Sequence, residues 1–235
     1  MAKMREVILA MRAFWDCWQN KAKLNFRGEF YKLTLMSPFF NPGPHDYPHI
    51  PIYIAAVNKL MCQLAGELCD GVHIHPMHTK RYLEEFALPH IESGLKKTGR
   101  KREDIELSST VFVIPTDDAK KAKEYELGAR GQISFYASTP PYKVVMDIHG
   151  WGDTAEQLSH LAARGRWDEM PSLLTDEMME TFVIYGAWAE IPGKVKAKYA
   201  GGLLDRVSYY FPFEPDKNEA GWRATIAGFK PSNDK

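Results

Sequence analysis

The chain has 235 residues, a length that favours one domain and is enough to bury a substantial core. With 45% apolar and 26% charged residues, and 30 basic side chains against 30 acidic ones, it reads as a globular protein without the basic excess of a nucleic-acid binder. Three cysteines, Cys17, Cys62 and Cys69, exclude a dense disulfide framework, and no apolar run reaches the length of a membrane span.

Val7, Ile8, Met11, Phe14, Trp15 and Trp18 recur at helical spacing and predict a helix with a wide apolar face. The apolar stretch 7–11 is too short for a signal sequence and no small-residue cleavage site follows. Secretion is therefore not expected, and a cytoplasmic location is. Residues 26–35 read as extended or irregular, and a loop rich in Pro, His and Asn covers 37–51.

The pattern then becomes regular. A short apolar run at 51–56 predicts a strand, and 59–69 a helix with Leu60, Leu64 and Leu68 on one side. Residues 71–75 form a second strand, and 82–95 a helix that Pro89 should kink or break. Residues 105–115, rich in Val, Ile and Thr, form a third strand. From 119 to 200 the patterns are helical, near 119–131, 141–149, 154–164, 175–185 and 188–200. The run LDRVSYYF at 204–211 alternates poorly, as suits a strand covered on both faces. Residues 213–235 read as a polar, weakly ordered tail of a single domain spanning 1–235. Strands alternating with helices predict an α/β fold with parallel pairing. The pattern alone does not choose between a closed barrel and an open sheet.

Several stretches carry candidate chemistry. Strand 51–56 ends in Ala55-Ala56-Val57-Asn58-Lys59, where Asn58 can cap the next helix. Free N–H groups of Lys59, Leu60 and Met61 would then face a phosphate at the helix N-terminus. An ordinary capped turn accounts for the same residues. His73, His75 and His78 invite a metal hypothesis, but no supporting Cys or carboxylate spacing accompanies them, and no metal is expected. His75, at a strand's C-terminal end, is the better candidate to meet a substrate or cofactor; a structural histidine is the alternative. In the stretch 133–142, Tyr136, Ser138 and Thr139 suit a pocket wall, although Ser138 or Thr139 could equally cap a helix before Pro140 and Pro141. Glu67 and Asp70 read as structural, and Trp15, Trp18, Trp151, Trp167 and Trp188 as core.

Taken together, FRGEFYKL, PIYIAAVN, LAGELCDGVHIHP, YLEEFALPHIESGLKKTGR, ISFYASTPPY, MMETFVIYG and LLDRVSYYFP, in this order over residues 5–212, resemble the luciferase-like monooxygenase superfamily, in particular its F420-dependent oxidoreductases. The resemblance implies a (βα)8 TIM barrel with a helical insertion before the last strand. The strands here would be the fifth to eighth, making a partial barrel without its first four strands. It implies coenzyme F420, or alternatively FMN, with the phosphate on residues 55–59, and hydride transfer to or from a small organic substrate. His75, Tyr136, Ser138 and Thr139 would line the substrate side; the family's usual glycine in the phosphate turn is here Asn58. No catalytic acid or base is assigned. A homo-oligomer, or a separate polypeptide supplying the N-terminal half, is the expected partner, and a non-catalytic half-barrel is the alternative.

Overall fold

The computed structural model describes residues 1–214 and 216–230. Its elements, in chain order, are α1 (Ala2–Trp18), β1 (Phe26–Arg27), β2 (Lys32–Leu33), β3 (Tyr53–Ala55), α2 (Lys59–Leu68), β4 (Gly71–Ile74), α3 (Lys80–Tyr82), a π-helical turn (Leu83–Ala87), α4 (Leu88–Lys97) and β5 (Glu106–Pro115). There follow α5 (Ala119–Ala137), α6 (Lys143–Asp147), α7 (Gly152–Ala163), α8 (Asp176–Phe182), β6 (Ile184–Gly186), α9 (Ile191–Lys198), β7 (Arg206–Tyr210) and α10 (Glu219–Phe229). The described residues group into two compact units, residues 1–73 with 89–106, and residues 74–88 with 107–230.

In the first unit β3 and β4 pair in parallel, with Tyr53 opposite Gly71, Ile54 opposite Val72 and Ala55 opposite His73. Ile8, Ile52, Leu64 and Cys69 form a buried cluster, with Trp15, Ile54, Met61 and Leu68 packed against it. Asp70 organises the turn before β4. Its carboxylate accepts from the Ile52 N–H, from Arg12 of α1 and from His49 at 2.7 Å. Burial opposes its charge, but these hydrogen bonds outweigh it and hold the Asp70 carboxyl below the usual range. Glu67 is gripped by both Arg5 guanidinium nitrogens and by Lys97. Both acids tie elements together, as their reading as structural requires.

Helices α2 and α4 touch backbone to backbone. A Cβ built on Gly66 would lie 2.1 Å from the Ile91 carbonyl oxygen, and one on Gly94 2.1 Å from that of Gln63. Only glycine permits this approach. The buried face of α2 is Cys62, Leu64, Ala65 and Gly66, with Leu68 packed against the cluster; of the expected Leu60–Leu64–Leu68 side only Leu60 is exposed.

Pro89 does not break the helical stretch. Its missing N–H is absorbed by the π-helical turn just before it, where the Leu88 N–H reaches back to the Leu83 carbonyl.

In the second unit β5 is the central strand. Residues 108–112 pair in parallel with 206–210 of β7, and 113–115 with 184–186 of β6. Leu107 to Ser109 and Val111 to Pro115 are buried, as befits a parallel strand covered on both sides. β6 falls where a helix running to 185 was expected. Three residues are too few to set a period, and Val183, Ile184 and Tyr185 favour extended backbone. β7 departs from the expectation of two covered faces: Arg206 and Ser208 are exposed, and Val207, Tyr209 and Tyr210 only partly buried. The expected weak tail contains α10, whose Trp222 contacts Trp188, Phe211 and Phe213 at ring-centroid distances of 5.2, 5.9 and 5.7 Å. Trp167 is 50% exposed and is not a core residue. Among the described residues no helix is long and apolar enough to cross a membrane.

Candidate active site

The C-terminal ends of β5 and β7 open into a cavity of about 580 Å3 in the second unit. Its apolar wall includes Phe112, Ile114 and Phe211, with Tyr125, Gly128 and Ala129 of α5 opposite. Phe112 and Tyr210 are opposite in the strand register and share a face, their rings 4.6 Å apart. Carboxyl ends of parallel strands are where α/β folds place their sites.

Gln132 and Tyr210, which line this cavity, form a polar group with Tyr136 behind them. Gln132 and Tyr136 stand one turn apart on α5, so both reach the same point. The Gln132 amide donates to the hydroxyls of Tyr210 and, at 3.3 Å, of Tyr136, while the two phenolic oxygens are 2.9 Å apart. Two phenolic hydrogens serve one tyrosine–tyrosine bond, and the amide occupies a lone pair on each oxygen. One O–H is therefore left to donate to a ligand. Burial, and then the bond to Tyr136, push the Tyr210 hydroxyl up to about 12, so it remains a donor at neutral pH.

His75 follows directly on β4 and stands edge-on to Tyr136, with ring centroids 4.7 Å apart, and 4.5 Å from Tyr142. Burial lowers its pKa, which keeps the ring neutral near pH 7. Its Nδ1 accepts from the Met77 N–H at 3.1 Å, so the ring hydrogen lies on Nε2. The His75 backbone is itself anchored: its carbonyl accepts from His78 Nδ1 at 2.9 Å, and His78 Nε2 accepts from the Tyr199 hydroxyl at 3.1 Å. Ser109 donates to the Ile74 carbonyl at 2.9 Å beside it.

Ser138 and Thr139 do not join this group. Both hydroxyls donate back to the Phe135 carbonyl, at 2.7 and 3.3 Å, which satisfies the end of α5; neither caps the following turn. Of the expected substrate-side residues the structure thus brings His75 and Tyr136 together and turns Ser138 and Thr139 to a helix end. It adds Gln132, Tyr142 and Tyr210. Gln132 was missed because the helix was ended at 131; it runs to Ala137, and the i,i+4 spacing to Tyr136 was the available signal.

The turn expected to meet a phosphate, residues 55–59, lies in the first unit. Ala55 is exposed and Ala56 buried, Val57 is half-buried, and Asn58 and Lys59 are exposed. Asn58 caps α2 with its side chain accepting from the Met61 N–H at 3.2 Å. That N–H is therefore taken, and the expected free trio reduces to Lys59 and Leu60. Asn58 has extended backbone, φ −98°, so the turn does not use the left-handed geometry that Asn tolerates. Two free N–H groups at a helix N-terminus, with the exposed Lys59 ammonium beside them, are a donor set suited to a phosphate.

The three histidines go separate ways. His73 is exposed and stacks on Tyr53, 5.2 Å away, in the first unit; His75 belongs to the aromatic group, and His78 is fully buried. Among the described residues no three His, Cys, Asp or Glu side chains are grouped to hold a metal. Cys62 and Cys69 are buried, which pushes their thiols up to about 12 and about 11, so neither is a nucleophile at neutral pH.

A parallel α/β fold with an aromatic, donor-bearing cavity at the carboxyl ends of its strands defines an enzyme-like class of protein. The family model for luciferase-like monooxygenases matches residues 1–206. The chain belongs to the luciferase-like monooxygenase family. It is 42% identical over 206 residues to an uncharacterized protein of Mycobacterium tuberculosis, covering 87% of this chain and 60% of that one. It is 30% identical over 226 residues to the 5,10-methylenetetrahydromethanopterin reductase of Archaeoglobus fulgidus, covering 94% of this chain and 63% of that enzyme. The fold matches the coenzyme F420-dependent tetrahydromethanopterin reductase of Methanopyrus kandleri with a TM-score of 0.71 at 22% identity, over 97% of this chain and 61% of that one. The chain thus spans about three fifths of the length of these relatives.

Proposed function

We propose that this chain is part of an oxidoreductase that moves a hydride between reduced coenzyme F420 and a small organic substrate. The observation that carries the reading is the Gln132–Tyr136–Tyr210 group, with His75 against Tyr136, which reaches an apolar cavity at the strand ends through Gln132 and Tyr210. Similarity to a reductase, and to a fold whose solved example is named for F420, supports the choice of reaction and cofactor. On this reading β3, β4, β5 and β7 are the fifth to eighth strands of a (βα)8 barrel, and the rest comes from a second copy or a complementary N-terminal half.

Bound deazaflavin supplies the hydride chemistry. The chain's own residues bind, orient and exclude water. Lys59 and the N–H groups of Lys59 and Leu60 would hold the phosphate end, with Ala55, Ala56, Val57 and Asn58 shaping the turn. The spare phenolic hydrogen of the Tyr136–Tyr210 pair donates to an acceptor oxygen or nitrogen of the substrate, and the ring wall keeps water out. Neutral His75 packs against Tyr136 and fixes its ring. The Gln132–Tyr136–Tyr210 group offers a donor, and the cavity's carboxylate, Glu124, is exposed; a neutral acceptor such as a carbonyl or imine suits it.

The test is oxidation of reduced F420 by a panel of small carbonyl and imine compounds. Tyr210→Phe and Tyr136→Phe are expected to lower turnover at least tenfold with little change in F420 affinity. Asn58→Pro, which removes a donor at the turn, weakens F420 but not a phosphate-free analogue. Turnover with FMN and not with F420 would replace this reading by a flavin monooxygenase.

A further inference from the structure

A second cavity of the same unit, about 770 Å3, is bounded by α8, β6, α9 and part of α5. Its cations are unequally served. Arg130 is paired with Glu126 and Asp176 and also donates to the Leu174 carbonyl. Lys194 is paired with Glu190 and donates to the Tyr185 carbonyl. Lys198 differs: it donates to one backbone oxygen, that of Thr181 at 2.8 Å, and forms no ion pair among the described residues. Its ammonium lies over the Tyr199 ring, 6.0 Å from the centroid, and two of its three hydrogens have no protein acceptor.

We propose that Lys198 is a covalent attachment site for small uncharged aldehydes, formed as an imine on its ε-amine within this cavity. The other cations of the cavity, Arg130, Lys194 and Lys80 (3.7 Å from Glu84), are paired with carboxylates, and the lining also holds Glu180, so the cavity offers an anionic ligand no unpaired cation besides Lys198. Burial without a counter-ion lowers the lysine to about 8. Near pH 8 about half of it is free amine, whereas an ordinary lysine at about 10.4 is under about 1% free amine. The ammonium first loses a proton to solvent. The nitrogen lone pair then attacks the carbonyl carbon to give a carbinolamine, and loss of water leaves the imine. No oxidant or reductant enters.

The probe is pyridoxal with cyanoborohydride, applied to the whole folded chain, with the labelled lysines located by peptide mass mapping. Lys198 is expected to label at least tenfold faster than the exposed Lys59 and Lys120, with its rate half-maximal near pH 8. In urea-unfolded chain the preference disappears, and in Lys198→Arg the slow labelling elsewhere is unchanged. Labelling of Lys198 no faster than of Lys59 or Lys120, or a preference that persists in the unfolded chain, would overturn the proposal.

Discussion

His78 shows how one buried side chain fixes a neighbour that faces a ligand. It is uncharged, donating to the His75 carbonyl and accepting from Tyr199, and burial depresses its pKa from 6.5 to about 4. The unfolded chain therefore takes up this proton first as pH falls. The stabilisation is complete above about pH 6.5 and is lost progressively down to about pH 4; its size is on the order of 3 kcal/mol. Urea unfolding at pH 7.0, 5.5 and 4.5 should show stability falling through this window, with a shallower slope in His78→Gln. A flat profile between pH 7 and 4.5 would contradict the buried neutral ring. Tyr210→Phe should cost about 1 kcal/mol of stability, since it leaves the Gln132 amide one acceptor short. A thermal melt of the variant checks this. At this scale the sequence carried residue types but not partners. Strand alternation put His73 and His75 on one face, yet β4 ends at Ile74, and only the fold reveals that His78 turns inward against Tyr199 from a distant helix.

Helix packing places the sharpest demand on single residues at the scale of elements. Gly66 and Gly94 each meet a backbone carbonyl oxygen that no side-chain rotation can clear. Gly66→Ala and Gly94→Ala should each destabilise by about 2 kcal/mol or more, despite alanine's better helix propensity. Denaturant unfolding measures this, and a stabilised alanine variant would mean that α2 and α4 do not cross so closely. The regular alternation of 51–115 was legible because its short apolar runs stand apart between turn residues and clear helical stretches, whereas the apolar residues of β6 run on directly from a helical pattern. α10 was missed for the opposite reason: Trp222, Ile226 and Phe229 do recur at helical spacing, but the polar residues around them suggested a loose tail. Positions 215 and 231–235 of that tail lie outside the described residues.

The partial barrel that the family resemblance implies would, on its own, expose the inner strand residues Ile52, Ile54, Val72, Ile74, Val111 and Val113, with Val207 and Tyr209, or their alternates, and such an apolar face is not expected to persist alone. In the structure Ile52, Val72, Ile74, Val111 and Val113 are each at most 6% exposed, and Ile54, Val207 and Tyr209 are partly buried. In the parallel strands β3–β7 the exposed residues are Ala55 and His73 in one unit and Arg206 and Ser208 in the other. Small and polar side chains do not incur the penalty of about 25 cal/mol per Å2 on which that expectation rested. Family membership was legible because ordered motifs survive without any knowledge of contacts; the aromatic donor group was only half legible, because Gln132 and Tyr210 are 78 residues apart. The measurement that bears most directly on the account is a binding titration of F420 and of FMN, each with the chain alone and with a polypeptide supplying the remaining strands. The account predicts saturable F420 binding, weakened by Asn58→Pro, with FMN bound at least tenfold more weakly. FMN bound as tightly as F420, or neither bound under either condition, would contradict it.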